Sequence, residues 1–330
     1  SVFMWSVYPY GLASTVIEYV FLPWDQPWDR DRGGGAEGDD GKSPSDVKGG
    51  VPAGHNHQHR GAQQSDLGDQ VFPFGPLEGM LPQICDVLGC ERIDLYVRFE
   101  EIMHETELDI FRKMVKRRIA GEPFQHIIGK APFYGRDFIV NQNVLIPRPE
   151  TEILIERIKS NGAVNSLLDI GTGTGCIAIT VGLEKLAENI FATDVSESSI
   201  EIAKDNMKFH QVENIRFAHH DFLKQNFKTK FDVVISNPPY IGTNEMNTLQ
   251  AEVQDYDPPS ALTDNGDGLS FYHRFAEQFE NLLNIDGYLL LEFGGNAQKQ
   301  AVESIFQNAG LKIEFFKDLQ NDWRIVEVRR

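Results

Sequence analysis

Cysteine is scarce, with three in 330 residues (Cys85, Cys90 and Cys176) and no Cys-x-x-Cys pair. Three thiols without paired spacing make neither a disulfide framework nor a convincing zinc site, so a reducing, cytoplasmic setting is expected. Basic residues are also short, 31 Lys and Arg against 49 Asp and Glu, a net charge of −18. Phosphate backbones and anionic membranes repel such a chain, which argues against direct nucleic-acid or membrane binding. Long apolar runs are missing as well. The longest stretch, residues 2–24, is interrupted by Glu18, and no Lys or Arg precedes Arg30. A signal peptide needs a basic start and a membrane span needs an unbroken run, so neither is expected. Ser1 in place of an initiating Met is what a fragment, a processed product or a misjoined gene model would show.

What is present suffices for folded domains. At 41% hydrophobic and 24% charged residues the composition is that of a globular protein, and the length suggests about two domains at roughly 150 residues each. Aliphatic residues nearly vanish over 25–69, where Gly, Asp, Pro, Gln and His dominate. Such a segment buries too little apolar surface to offset its ordering entropy, and is expected to be a linker without fixed structure. His55, His57 and His59 alternate inside it, but a flexible tract lacks the geometry of a metal site. No His, Cys, Asp and Glu cluster with ligand spacing occurs elsewhere, so no metal is expected.

From about residue 76 apolar residues recur at three- and four-residue spacing. Helices are expected over 77–88, 93–102 and 105–120, the last carrying Leu108, Phe111, Met114 and Val115 and ending at Gly121-Glu122-Pro123. Residues 133–140 and 143–146 read as a β-hairpin. Beyond Pro149 strands and helices alternate: strands over 166–170, 190–193, 215–218, 231–236, 288–293, 311–316 and 323–328, with helices over 150–159, 176–184, 198–210, 268–283 and 298–309. That alternation predicts an α/β, Rossmann-like, mostly parallel sheet covered on both faces, its last two strands antiparallel at one edge.

The first strand runs into Asp169-Ile-Gly171-Thr172-Gly173-Thr174-Gly175 and then a helix. Glycines there let the backbone turn sharply and approach a ligand at the carboxyl edge of the sheet, where a nucleotide-like cofactor is expected. The dinucleotide fingerprint would need glycine at Cys176, so NAD fits poorly. The second strand ends at Asp194, placed to accept hydrogen bonds from ribose hydroxyls or simply to begin a helix. The third ends at Asp221-Phe222, a carboxylate for an adenine amino group and a ring for its face. His219 and His220 are adjacent and would face opposite ways.

The fourth strand leads into Asn237-Pro238-Pro239-Tyr240. Two prolines remove two N–H donors, so carbonyls point outward, and Asn237 adds a side-chain oxygen. A planar –NH2 can donate one hydrogen to Asn237 and one to the Pro238 carbonyl while Tyr240 covers its plane. Amide nitrogens are poor nucleophiles because the lone pair is delocalised, and two acceptors holding both hydrogens aim that lone pair at an electrophilic methyl.

Taken with Ile146-Pro-Arg-Pro-Glu-Thr-Glu152 and Arg118-Ile-Ala-Gly-Glu-Pro123, these motifs resemble the HemK/PrmC family of peptide chain release factor glutamine-N5 methyltransferases, from about residue 77 to the C-terminus. The resemblance implies a seven-stranded class I S-adenosylmethionine-dependent methyltransferase domain over 150–330 and a β-hairpin linker over 131–149. It also implies a small helical release-factor-recognition domain over 77–130, with an atypical segment 1–76 standing where its first helices belong. S-adenosylmethionine would lie on Asp169, Gly171 to Gly175, Asp194, Asp221, Phe222 and Asn237. The substrate glutamine, in the Gly-Gly-Gln loop of a class I release factor, would lie on Asn237, Pro238, Pro239 and Tyr240, with Asn237, Pro238 and Tyr240 catalytic. By the same expectation this chain is a monomer and cytoplasmic. Segments 252–262, Asp267-Gly268 and 289–292 also look familial; His126 stands where the family has Tyr, and Phe222 where some members have Trp. Another protein glutamine, as on a ribosomal protein, an amino group of a DNA base, or an inactive cofactor-binding module are the competing readings, the DNA one opposed by the charge.

Overall fold

The computed structural model describes residues 104–330 together with Cys85, Gly89, Cys90 and Ile93. The expected linker, its histidines and most of the two helices anticipated before residue 103 lie outside the described residues. The chain divides into two units, Ser1–Arg112 and Lys113–Arg330. In the first, Arg112 pairs with Glu105 and Asp109 at 3.0 Å each along one helix face. That helix, α1 (Glu105–Ile119), has acids in its first turn and Lys116, Arg117 and Arg118 in its last, each opposing the end of the helix dipole it sits on.

In the second unit the chain turns at Gly121 (φ 94°) and forms a one-turn helix α2 (Phe124–Ile128), which sequence periodicity does not reveal. The hairpin follows at once, but in another register from the one expected. Strand β1 (Lys130–Phe133) pairs antiparallel with β2 (Arg136–Ile139), and residues 143–146 are no strand. The two-residue loop Tyr134-Gly135 has φ of 50° and 71°, both positive as a type I′ turn requires. A 3₁₀ turn, Pro149–Thr151, then leads into α3 (Glu152–Asn161).

The rest is β3 (Val164–Ile170), α4 (Cys176–Leu183), β4 (Ala187–Asp194), α5 (Glu197–Phe209), β5 (Ile215–His219) and β6 (Phe231–Ser236), then two short helices α6 (Ala251–Tyr256) and α7 (Pro259–Leu262). It closes with α8 (Ser270–Leu282), β7 (Leu283–Glu292), α9 (Asn296–Asn308), β8 (Lys312–Lys317) and β9 (Trp323–Arg329). The seven strands are ordered β5-β4-β3-β6-β7-β9-β8, parallel except for β9, which runs antiparallel to both β7 and β8. This is the doubly wound arrangement expected, with the antiparallel pair at one edge.

Both faces of the sheet are dry. Leu167, Val233, Ile235 and Leu290 point to one face and pack with α3 and α4 through Leu154, Ile158 and Ile179. Their neighbours Leu168, Val234, Leu289 and Leu291 point to the other, against Phe275 and Phe279 of α8 and Val302 and Phe306 of α9. Alternation along a strand therefore distributes apolar residues to two cores, and the central strands read as continuous aliphatic runs. Truncating any of these to Ala is expected to cost about 2–5 kcal/mol.

Candidate functional site

Strands β3 to β6 end side by side, and a cavity of about 240 Å³ opens at those ends, in the crevice where doubly wound sheets take ligands. Gly171, Gly173 and Gly175 have φ of 73°, 53° and 78°, which only glycine adopts without strain. Gly171 and Gly173 line the cavity, and a Cβ at either would meet nothing within 4 Å. Gly175 serves a different need, since a Cβ there would stand 3.0 Å from Ile179 and 3.1 Å from Ala203, where α4 and α5 close up.

Asp194 lines the cavity at the end of β4 and organises the loop: Oδ2 accepts from the Gly173 N–H at 2.9 Å, and Oδ1 from the Ser196 N–H at 2.9 Å. Burial raises its pKa against those backbone bonds. The N-cap of α5 is Ser196, whose Oγ accepts from the Ser199 N–H at 3.2 Å, so Asp194 is not the helix cap. Asp221 and Phe222 also line the cavity. Asp221 is held below its ordinary pKa by Lys224, 2.8 Å away. Phe222 is almost wholly buried, packed 4.6 Å from Phe275 with only an edge for the cavity.

Asp169, Thr172, Thr174 and Gly175 stand behind the cavity wall. Asp169 is fully buried and accepts from the Thr172 hydroxyl at 2.6 Å, and burial pushes its carboxyl up to about 7. Its place is beneath the loop that carries Gly171 and Gly173. Asn206 of α5 ties the same loop to the hairpin, donating to the Thr174 and Ile139 carbonyls at 3.0 Å each and accepting from the Ile139 N–H at 2.6 Å.

Asn237, Pro238 and Pro239 also line the cavity. Asn237 also lines a second cavity of about 190 Å³, shared with Arg148, Tyr240 and Val253, so it stands between the two. Its Nδ2 donates to Thr151 Oγ1 at 3.1 Å, and Thr151 Oγ1 donates to Glu292 Oε2 at 2.7 Å. Tyr240 donates to the other oxygen of Glu292 at 3.4 Å. Burial pushes Glu292 up to about 7 and the Tyr240 hydroxyl well above its usual range, with Arg324 pulling both the other way. Tyr240 is pinned again through its carbonyl, which accepts from Gln298 Nε2 at 2.7 Å.

A cover formed by the segment after Tyr240 closes the site, with Pro258, Ser260, Ala261, Thr263 and Asp264 on the cavity wall. Asp264 collects the N–H groups of Gly266, Gly268 and Ser270 at 2.8–3.0 Å and so fixes the fold of the cover. Arg148 pairs with Asp257 at 2.5 Å, and Arg118 with Glu252 at 2.8 Å. His220, just after β5, lines the cavity and packs on Phe227 at 4.1 Å, while His219 Nε2 donates to the Val195 carbonyl at 2.9 Å. Sequence reasoning assigned no role to Thr151, Glu292 or the cover. The available signal for Glu292 was a lone carboxylate closing the apolar run 288–291.

Comparison with known proteins fits this geometry. Residues 149–285 match the family model of the methyltransferase small domain, and 84–129 that of the PrmC N-terminal domain. The release factor glutamine methyltransferase of Bacillus cereus is 38% identical over 243 residues, covering 70% of this chain and 86% of that protein. That of Thermodesulfovibrio yellowstonii is 37% identical over 254 residues, covering 75% and 90%. The bifunctional methyltransferase of Rickettsia prowazekii is 36% identical over 257 residues, covering 71% of this chain and 49% of that protein, so this chain spans about half the length of that relative.

Proposed function

The chain belongs to the HemK/PrmC family, and on that premise we propose that it transfers a methyl group from S-adenosylmethionine to the side-chain amide nitrogen of the glutamine in the Gly-Gly-Gln loop of class I peptide chain release factors, in the cytoplasm. The observation that carries this reading is the position of Asn237: on the wall of the glycine-loop cavity and of a second cavity at once, with its amide nitrogen already engaged by Thr151.

The first cavity suits the cofactor. Gly171 and Gly173 offer backbone with open space where side chains would intrude, and Asp194 retains lone pairs for ribose hydroxyls after taking two backbone N–H groups. Asp221 and the Phe222 edge stand where adenine would lie, and Asp169, Thr172, Thr174 and Gly175 hold the loop in shape. When bound, S-adenosylmethionine supplies an electrophilic methyl on a sulfonium.

The rest falls to Asn237, Pro238, Pro239 and Tyr240. Among the described residues no hydrogen-bond donor occupies the Pro238 carbonyl or the Asn237 side-chain oxygen, and Asn237 lines both cavities with its nitrogen turned to Thr151. These two acceptors take the two hydrogens of the glutamine amide, while Tyr240, fixed at its hydroxyl and its carbonyl, supports the plane. Holding the nitrogen in line is worth on the order of 7–11 kcal/mol of encounter entropy. After transfer the alkylated nitrogen is acidic enough to lose its proton to water, so no dedicated base is required.

The segment matching the PrmC N-terminal domain, within 77–130, is assigned to gripping the release factor. The net charge of −18 opposes a DNA substrate. The test is transfer of labelled methyl to purified release factor, to its Gln→Ala loop variant and to duplex DNA. Label on the intact loop alone is expected; label on DNA, or on the Ala variant, overturns the substrate.

A further inference from the structure

We propose that the buried Glu292–Thr151 pair sets which end of the Asn237 amide faces the substrate, and so makes the site select a glutamine amide over a glutamate carboxylate. The inference rests on the methyltransferase reading above. It concerns two positioning residues that touch neither cofactor nor substrate.

An asparagine side chain is nearly symmetric in shape, and its two ends differ only in hydrogen-bonding sense. Rotating the Asn237 amide by half a turn would present two N–H donors in place of an oxygen, and the clamp for an –NH2 group would become a clamp for a carboxylate. What prevents this is the neighbour. Thr151 has one hydroxyl proton, and it goes to Glu292 Oε2 at 2.7 Å. The Thr151 oxygen can then only accept, and the group facing it at 3.1 Å must be the Asn237 –NH2. Oδ1 is thereby turned to the cavities that Asn237 lines.

The pair is built for this task. Thr151 is almost wholly buried in the turn before α3, and Glu292 at the end of β7, one register step from the strand that carries Asn237. They are separated by 141 positions in the chain, so only the fold brings them together. Glu292 also receives the Tyr240 hydroxyl, and therefore anchors both side chains of the clamp. Around it stand Arg324 from β9, which favours the carboxylate form, Glu150 from the turn before α3, and the Tyr272 hydroxyl of α8, which donates to the Glu292 backbone carbonyl at 2.8 Å. Above about pH 7, where the assay is run, Glu292 is a carboxylate, an acceptor without protons of its own, and so fixes the direction of the two-bond chain from its end.

The experiment uses the full chain as wild type, Thr151→Val and Thr151→Ser. The probes are purified release factor with its Gln loop as substrate and the same factor with Gln→Glu in the loop as competitive inhibitor. Val has the shape of Thr without the hydroxyl, and Ser restores the hydroxyl. Thr151→Val is expected to lower kcat about tenfold, the equivalent of one hydrogen bond's worth of orientation, with S-adenosylmethionine affinity and melting temperature near wild type. The Glu-loop factor is expected to inhibit Thr151→Val about tenfold more tightly, relative to the substrate KM, than it inhibits wild type. Thr151→Ser should return both quantities towards wild type. Unchanged kcat and unchanged Glu-loop inhibition in Thr151→Val overturn the proposal, as does a Thr151→Ser variant impaired as much as Thr151→Val. A wild-type enzyme that leaves the Gln-loop factor unmethylated overturns the methyltransferase reading itself, a result separate from any difference among the variants.

Discussion

In the proposed reaction Asn237 and Asp194 would carry different parts, and their substitutions should separate. Asn237→Ala removes the acceptor while leaving the glycine loop untouched, so turnover should fall by about 10²-fold or more with S-adenosylmethionine affinity nearly unchanged, by steady-state kinetics and calorimetry. Asp194→Ala removes the proposed ribose acceptor together with the support of Gly173 and Ser196. Cofactor affinity should fall about ten- to a hundredfold, the loss of one or two charge-assisted hydrogen bonds. Equal loss of cofactor affinity in both variants would contradict the division of labour.

At the scale of elements, what could be read from the sequence depended on how local its cause was. Strand β6 shows its bounds openly, because the run Phe231–Ser236 stops at two prolines that cannot extend a ladder. The hairpin did not, because Pro132 sits inside β1 and the turn is Tyr134-Gly135 rather than the usual Asn-Gly. The glycine loop and Asn237 to Tyr240 announced themselves as motifs. Thr151 and Glu292 could not, since their meaning lies in a contact that only the folded sheet creates. Two residues make the dependence measurable. A Cβ at Gly268, where φ is 79°, would fall 2.1 Å from the Tyr240 carbonyl oxygen. Gly268→Ala should therefore cost about 3 kcal/mol in urea unfolding and displace Tyr240, lowering turnover as well. Asn206→Ala strips three backbone partners from the hairpin and the glycine loop and should cost about 2–4 kcal/mol together with cofactor affinity.

For the whole molecule, the two buried carboxyls set a pH dependence of stability. Asp169 rises from 3.8 to about 7 and Glu292 from 4.5 to about 7, both through burial. Between roughly pH 4 and 7 the native state then holds protons that the unfolded chain has released, so stability falls as pH rises through this window. At 1.36 kcal/mol per unit Asp169 contributes about 4 kcal/mol and Glu292 about 3 kcal/mol to the decline. Urea unfolding at pH 5 and pH 8 should show the wild type losing about 2 kcal/mol or slightly more across that interval than Glu292→Gln, which cannot titrate there. An equal decline in the two proteins would remove Glu292 from the account.

The thiols have a use that their scarcity creates. Cys176 opens α4, where a helix N-terminus normally favours thiolate, yet burial pushes its thiol up to about 12. Buried and protonated, it is expected to resist alkylating labels in the native protein. Cys85 and Cys90 are half-buried and lie in the segment matching the PrmC N-terminal domain. A fluorophore maleimide applied to the unmodified chain should thus be directed to that segment, and would report the proposed release-factor docking there without an engineered cysteine.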